Sequence, residues 1–525
     1  MTEATTSSVT ARVGVRRRID KAVLRWQGRL DADWADRFVP WSATALLFAL
    51  LVALSLARAR SLDGGAELGE FTQAAWLVAR GAAPFVTITD THLLAEQAAF
   101  VFYPIAWSTR VLPIIPTLLV VQSAVLALGV IPLWWVARWV AKLRVGAATV
   151  LVVAYMLYPA LHDLNLADFH PEVVALPALL AAALFGLTDR WRAYAVAVAV
   201  ILLCRADLGL AVAALGIVLA VEGRRRAGAW SMVVGIGWTL LAVLVVQPHF
   251  GDGVFIHADA FTTYGDTPWA IFGSILTSPV QVLGDLTSEQ NFDVAVVLLA
   301  PVAFLPVLAP RFLLPILPLE ALYLLADTPT GEATRPEHTI AITAFIFLAT
   351  TFALARIGRQ SVSRVSVDRR ILGALLFASA VFFVRDAASS PYRHPWDWGG
   401  RDAVDAARLE AADLVGPFAP VRASSSLLPL LGEREGVYLL DTDGNPHVRR
   451  AAEDAYAIVF DAEAASDWDD EARRRFHGGL ERSGFERIST DEGVWVYVRA
   501  LTPPDHLRVG VGSVAAPPVG DPNGG

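Results

Sequence analysis

The feature that most constrains this chain is a series of apolar runs separated by arginine clusters. The stretches 41–57, 229–246, 292–309 and 339–355 carry almost no charge, and each approaches the roughly 20 residues that an α-helix needs to cross about 30 Å of hydrocarbon. A backbone in lipid must satisfy its own hydrogen bonds, so runs of this length specify helices. Composition agrees: 55% of the 525 residues are hydrophobic and 18% charged, with a mean hydropathy of +0.49, above what soluble domains show.

Arginine and lysine set the orientation, because they are retained on the cytoplasmic side. With the basic segment 1–40 inside, spans at about 41–57, 113–137, 145–161, 172–187, 193–204, 208–221, 229–246, 292–309, 312–325, 339–355 and 371–384 return every Arg cluster to that side. The fold expected is therefore a membrane all-α domain over 41–385 with about eleven transmembrane helices. It has a long first external loop, 58–112, in which 94–112 is an interfacial or re-entrant helix. Fusing 193–204 with 208–221 would move several Arg clusters outside, so these two read as a hairpin with Arg205 and Asp207 at its outer tip. Segment 1–40 reads as a cytoplasmic tail rather than a cleaved signal peptide.

The net charge of −8 hides this segregation and says little about partners. The run Arg224, Arg225, Arg226 is a topological marker, and no nucleic-acid partner is expected. Cys204 is the single cysteine, which rules out an internal disulfide and a cysteine metal cluster.

This topology gathers the isolated polar residues on one external face: Asp63, Glu67, Glu70, Asp90, His92, Asp168, His170, Glu172, Arg205, Asp207, His249, His257, Asp259 and His338. Acids and imidazoles at a membrane boundary are costly unless solvated or paired, so their clustering points to a polar cavity. Three groups stand out. Asp63, Glu67 and Glu70 follow the first span; an acid there can act as general base toward a hydroxyl or hold a divalent cation beside a phosphate, the plainer alternative being a solvated loop. Asp168, His170 and Glu172 could share protons or coordinate a metal, although they lack the spacing of a zinc helix; helix capping by Asp168 is the alternative. Arg205 is suited to a lipid phosphate oxygen, unless it is spent on Asp207. Aromatic residues such as Phe100, Tyr103, Trp134 and Trp135 read as interfacial anchors.

Past residue 398 an amphipathic helix, 402–415, and short apolar strands at 420–423, 436–440, 455–460 and 493–498 suggest a small α/β domain. We expect it to occupy 386–502 on the outside, followed by a disordered tail, 503–525, rich in Pro and Gly.

The motif Glu67-Leu-Gly-x-x-x-Gln73-x-x-Trp76-x-x-x-x-Gly81, followed by His92 and by Asp168-Phe-His170-Pro, resembles a family of polytopic prokaryotic membrane proteins known as domain of unknown function twenty seventy-nine. The resemblance runs through 301–325 and 420–429. This family is grouped with the GT-C membrane glycosyltransferases, which typically place an acid in the first external loop and use sugars carried on polyprenyl phosphate. The chain departs from the family at two places: it has Glu67 where Asp is usual, and Arg205-Ala206-Asp207 where Lys-Glu-Asp is usual.

What the resemblance implies is a multi-pass cell-membrane enzyme transferring a polyprenyl-phosphate-linked sugar on the extracytoplasmic face, with membrane lipid as its surroundings. Glu67, or Asp63 as alternate, would be catalytic. Gln73, His92, Asp168, His170, Glu172, Arg205, Asp207 and His338 would bind substrate. A divalent cation is the one cofactor this chemistry suggests. A lipid or solute transporter and a non-catalytic membrane scaffold are the competing classes.

Overall fold

The computed structural model describes residues 33–253, 256–286, 288–327, 335–361, 364–391, 399–440, 455–466 and 468–499. Most of the basic tail and all of 503–525 lie outside these. The chain divides into two compact units, Met1–Arg401 and Asp402–Gly525.

The first unit is helical. Among the described residues four helices are long and apolar enough to cross a membrane: Trp34–Arg60, Ile114–Val140, Arg225–Phe250 and Pro336–Ile357. A bent pair, Val145–Met156 with Pro159–Leu166, makes a fifth if it is one span, its 40° break falling just before Pro159. Proline cannot continue the hydrogen-bond ladder across that junction. Five more apolar helices are shorter: Pro171–Leu187, Trp191–Leu202, Leu208–Val221, Pro268–Thr277 and Asn291–Val302.

The eleven-span expectation is thus met by only four or five full-length helices. The expected span at 312–325 is broken at Pro315 and Pro318 into the pieces Pro310–Leu313, Leu314–Ile316 and Leu317–Leu324. Segment 94–112 contains only Leu93–Glu96 and Phe102–Ser108 as helix, too short to cross.

One end of the bundle is locked by a buried ion pair. The helix Ile114–Val140 ends in a π-turn, Val136–Val140, which carries the fully buried Arg138. Its guanidinium bonds Asp36 through Nε (2.7 Å) and Nη2 (3.3 Å), and Trp134 Nε1 donates to the same carboxylate at 3.0 Å. Asp36 belongs to the first helix, Asp33–Arg60.

Leu208–Val221 and Arg225–Leu241 pack at a seam of glycines. A Cβ on Gly216 would lie 2.6 Å from the Gly228 carbonyl oxygen, and one on Gly228 would lie 2.5 Å from that of Gly216; Gly209 and Gly235 meet in the same way. Small residues at i and i+7 let helix backbones touch where lipid offers no hydrophobic drive to association.

The second unit carries five strands in the order β6-β5-β7-β9-β8: β5 (Val421–Ala423), β6 (Val437–Leu439), β7 (Ala457–Asp461), β8 (Phe485–Asp491) and β9 (Val494–Arg499). β5 pairs in parallel with β6 and β7, while β9 runs antiparallel to β7 and β8. Ile458, Phe460, Phe476, Leu480 and Tyr497 form its core. Four of the strands match expected runs. β8 does not, because as an edge strand it reads Glu486, Arg487, Ser489, Thr490 and lacks an apolar signature. Two small hairpins, β1 (Phe85–Val86) with β2 (Thr91–His92) and β3 (Arg359–Ser361) with β4 (Arg364–Ser366), lie in the first unit.

Candidate functional site

After the first helix the chain turns sharply. Leu62 adopts a positive φ of 52°, Arg58 Nη2 donates to the Asp63 carbonyl at 2.7 Å, and Ser61 Oγ donates to the Asp63 carboxylate at 2.8 Å. The next helix, Ala66–Ala79, starts without a local side-chain cap. Its cap comes from Asp168: Oδ1 and Oδ2 accept from Gly65 N at 3.0 Å, and Oδ2 accepts from Leu68 N at 3.1 Å. Arg58 Nη1 adds an ion pair at 3.4 Å. A Cβ at position 65 would sit 2.7 Å from Asp168 Oδ2, which is why glycine stands there. Asp168 is therefore a helix cap, as the plainer alternative held, but for a helix about a hundred residues earlier.

Gln122, fully buried on Ile114–Leu128, holds the 164–170 loop. Its amide donates to Leu164 O (3.0 Å) and Asp168 O (2.9 Å), and its Oε1 accepts from His170 N (2.8 Å). His170 is thereby fixed opposite the first turn of Ala66–Ala79, with Nε2 3.7 Å from Glu67 Oε2. The Glu67 side chain is 53% exposed and that of His170 4%. Partial burial raises the Glu67 pKa above the usual glutamate value, and the nearby His170 opposes that rise.

From His170 a line of ionisable groups runs inward. Glu172 Oε1 is 4.0 Å from His170 Nδ1 and 3.4 Å from Arg205 Nη1. Arg205 grips Asp207 with two parallel bonds, 2.7 Å from Nε and 2.8 Å from Nη2. It also donates to the Tyr323 hydroxyl at 2.7 Å, and that hydroxyl donates to Asp207. The Tyr323 ring stacks on His338 at 4.1 Å. Glu337 is close enough to feel the charges of His170, His338 and Arg205. Two buried polar atoms in this line have no hydrogen-bond partner, His170 Nε2 and Glu172 Oε2.

The structure therefore brings Glu67, His170, Glu172, Arg205, Asp207 and His338 together from four distant segments. Sequence reasoning missed Tyr323 and Glu337; Glu337 adjoins the His338 that it did single out, whereas nothing local marks Tyr323. The remaining expected residues make contacts within the protein. Gln73 is fully buried and bonds Thr87 twice, at 2.8 and 3.0 Å, pinning the β1-β2 turn. His92 Nδ1 accepts from Leu94 N at 3.1 Å, and its ring stacks on Phe250 at 4.5 Å; burial lowers its pKa. Arg205, expected to bind a phosphate, is paired with Asp207. Ala206 is buried and packs with Ala98 and Ala242.

One turn beyond Glu67, Glu70 is buried with Oε1 unpartnered. Burial and the neighbouring Glu96 push its pKa well up, which favours the protonated carboxyl. Among the described residues no group of three or more His, Cys, Asp or Glu is arranged to hold a metal ion.

Apolar helices long enough to span a bilayer, with a line of buried ionisable groups among them, define a membrane protein. More particularly, the chain belongs to the family described as "Predicted membrane protein (DUF2079)", whose model matches residues 58–494. No curated protein matches it. Among solved structures, the oligosaccharyltransferase of Archaeoglobus fulgidus in complex with Zn and sulfate is 11% identical, with a TM-score of 0.45 over 86% of this chain and 73% of that one. A likeness at that level fixes neither fold nor function.

Proposed function

We propose that the protein is a membrane glycosyltransferase that moves a sugar from a polyprenyl-phosphate carrier to an acceptor hydroxyl on the extracytoplasmic face. The observation that carries this reading is the pairing of Glu67 with His170: a half-exposed carboxylate 3.7 Å from an imidazole nitrogen that has no hydrogen-bond partner. The GT-C likeness of the Glu67-Leu-Gly and Asp168-Phe-His170-Pro motifs supports it. The eleven-span topology, with the N-terminus cytoplasmic and the 386–502 domain exported, is part of this proposal.

In this mechanism Glu67 accepts the proton of the acceptor hydroxyl as its oxygen bonds to the anomeric carbon. The bond from that carbon to the phosphate oxygen breaks, and polyprenyl phosphate leaves with the electron pair. His170 Nε2–H donates to a phosphate oxygen. Arg205, held by Asp207 and Tyr323, supplies fixed positive potential behind Glu172 rather than a direct grip. Asp63, exposed at the turn, is the alternate base. Gln73, His92, Asp168 and Gln122 hold the loops that carry these groups.

The test is transfer of radiolabelled sugar from a polyprenyl-phosphate donor in membranes carrying wild type, Glu67→Gln or Asp63→Asn. Loss in Glu67→Gln with retention in Asp63→Asn is expected; wild-type transfer in both variants overturns the reading. One observation favours a transporter instead: Glu320 is buried in Leu317–Leu324 with Oε1 unpartnered, and a carboxyl inside a span is often a relay. Flux lost in Glu320→Gln but kept in Glu67→Gln would favour that class.

A further inference from the structure

Residues 247–291 connect two apolar helices, yet they are not a simple hydrophilic loop. They contain Pro268–Thr277 and Pro279–Leu286, started respectively by the Thr267 side chain accepting from Ala270 N and by Pro279 at the helix start. Ile271, Ile275, Val282 and Leu286 point inward and pack with Tyr264 and Leu325. Asp327 fastens the base, accepting from Thr262 N at 2.8 Å and Thr263 N at 3.2 Å.

The opposite face is apolar as well. Trp269 (66% exposed), Phe272 (57%) and Leu276 (63%) follow at steps of three and four residues on the first helix, and Val280 (86%) and Leu283 (62%) at a step of three on the second, each the spacing of one helical face. Water does not tolerate a continuous patch of this kind without a partner.

Two facts identify what covers it. The hairpin's last residue, Leu286, is five residues from the apolar helix Asn291–Val302, a reach of at most about 17 Å, so the stripe cannot leave the neighbourhood of the bilayer. From 227 to 310 the sequence has no Lys or Arg, which removes the electrostatic attraction to anionic lipid that surface helices commonly use. What remains is insertion of apolar side chains, with Trp269 at the interfacial depth that tryptophan prefers.

We propose that the hairpin Pro268–Leu286 is an interfacial anchor whose Trp269–Leu283 stripe is seated in the acyl-headgroup boundary of the bilayer, against lipid tails. Its assignment to the extracytoplasmic leaflet rests on the topology given above; the insertion itself does not. The inner face of the anchor packs on Leu325, two residues along the chain from Tyr323. Bilayer contact is thus delivered to the edge of the charged line where a long-chain lipid substrate would enter.

The single native cysteine, Cys204, is buried, so the wild type serves as the unlabelled control. Full-length Leu276→Cys, Val280→Cys and, as a solvent-side control, Asp266→Cys are labelled with an environment-sensitive fluorophore in nanodiscs of neutral phosphatidylcholine. The expected result is blue-shifted emission at 276 and 280, quenched by lipids spin-labelled near the headgroup, spared by iodide and unchanged by salt, with the reverse at 266. Iodide quenching at 276 and 280 overturns the proposal. So does protection from both quenchers together with cross-linking between copies, which would assign the stripe to a second chain. Labelling of Asp266→Cys by an impermeant maleimide in intact cells reads the leaflet separately; failure there, with lipid quenching intact, overturns the topology and leaves the anchor standing.

Discussion

Asp168 caps the helix that begins after Gly65, taking hydrogen bonds from Gly65 N and Leu68 N across roughly a hundred residues of sequence. The acid that opens the Asp168-Phe-His170-Pro motif is therefore what orients Glu67, while the histidine two residues later faces it. Replacing Asp168 by Ala should remove the cap and leave Arg58 without its carboxylate, at a cost of about 1 to 2 kcal/mol. Thermal unfolding in detergent checks the magnitude; Asp168→Asn, which can still accept, should lose less. In the sugar-transfer assay Asp168→Ala should lose activity while Gln73→Ala, which loosens only the β1-β2 turn, loses less.

The raised pKa of Glu67, caused by burial and moderated by His170, has a direct kinetic reading. A general base works only when ionised, so transfer should rise with pH through a value above the ordinary glutamate range. Glu67→Asp should keep a shifted limb, and Glu67→Gln should lose it. A pH-rate profile with no acid limb would count against Glu67 as base.

Glu70 gives the opposite sign for stability. Its folded pKa lies well above the unfolded value because burial and Glu96 disfavour the charge. The stability that this protonated carboxyl contributes is fully present below the unfolded pKa and is lost as pH rises through the folded one. Glu70→Gln, which cannot ionise, should therefore match wild type under acid conditions and melt higher than wild type at alkaline pH. Equal alkaline melting temperatures would remove the basis for this assignment.

Arg205 sits at the centre of a buried network with Asp207, Glu172 and Tyr323. Removing it strands two carboxylates, and breaking a buried pair from one side costs about 3 to 5 kcal/mol. Arg205→Ala should express poorly or unfold early, and the double variant Arg205→Ala, Asp207→Ala should recover part of the loss. If the double variant is no better than the single, the coupling seen here is not energetic.

The glycine seam predicts a steric effect. Gly216→Val should force apart two backbones that already touch, costing about 1 to 3 kcal/mol as overpacking. Gly237→Ala, with nothing within 4 Å of the added Cβ, should be neutral. Gel filtration and melting of the two variants in the same detergent make the comparison.

Apolar length and Arg placement are local properties, so the first, second, seventh and tenth expected spans are close to helices that can cross. Where proline interrupts a run, as at Pro159, Pro315 and Pro318, the same composition folds into pieces, and hydropathy alone does not distinguish a span from a broken one. Glu67, His170 and Arg205 were legible because charge is conspicuous in an apolar chain. Their partners were not: the bond from Arg205 to Tyr323 joins residues 118 apart, and Gln122 reaches His170 across 48. β8 was hidden because an edge strand can be polar. The glycine spacing of seven was visible, but only the packed helices give it meaning.

The capping of Gly65 by Asp168 also has a consequence in time. At a synthesis rate of about 5 to 20 residues per second, the 103 residues between them take roughly 5 to 20 seconds to make. Throughout that interval the helix bearing Glu67 must wait with its first amides uncapped. The polar cluster around Glu67 is thus completed late in synthesis, only once the segment bearing Asp168 and His170 has been made.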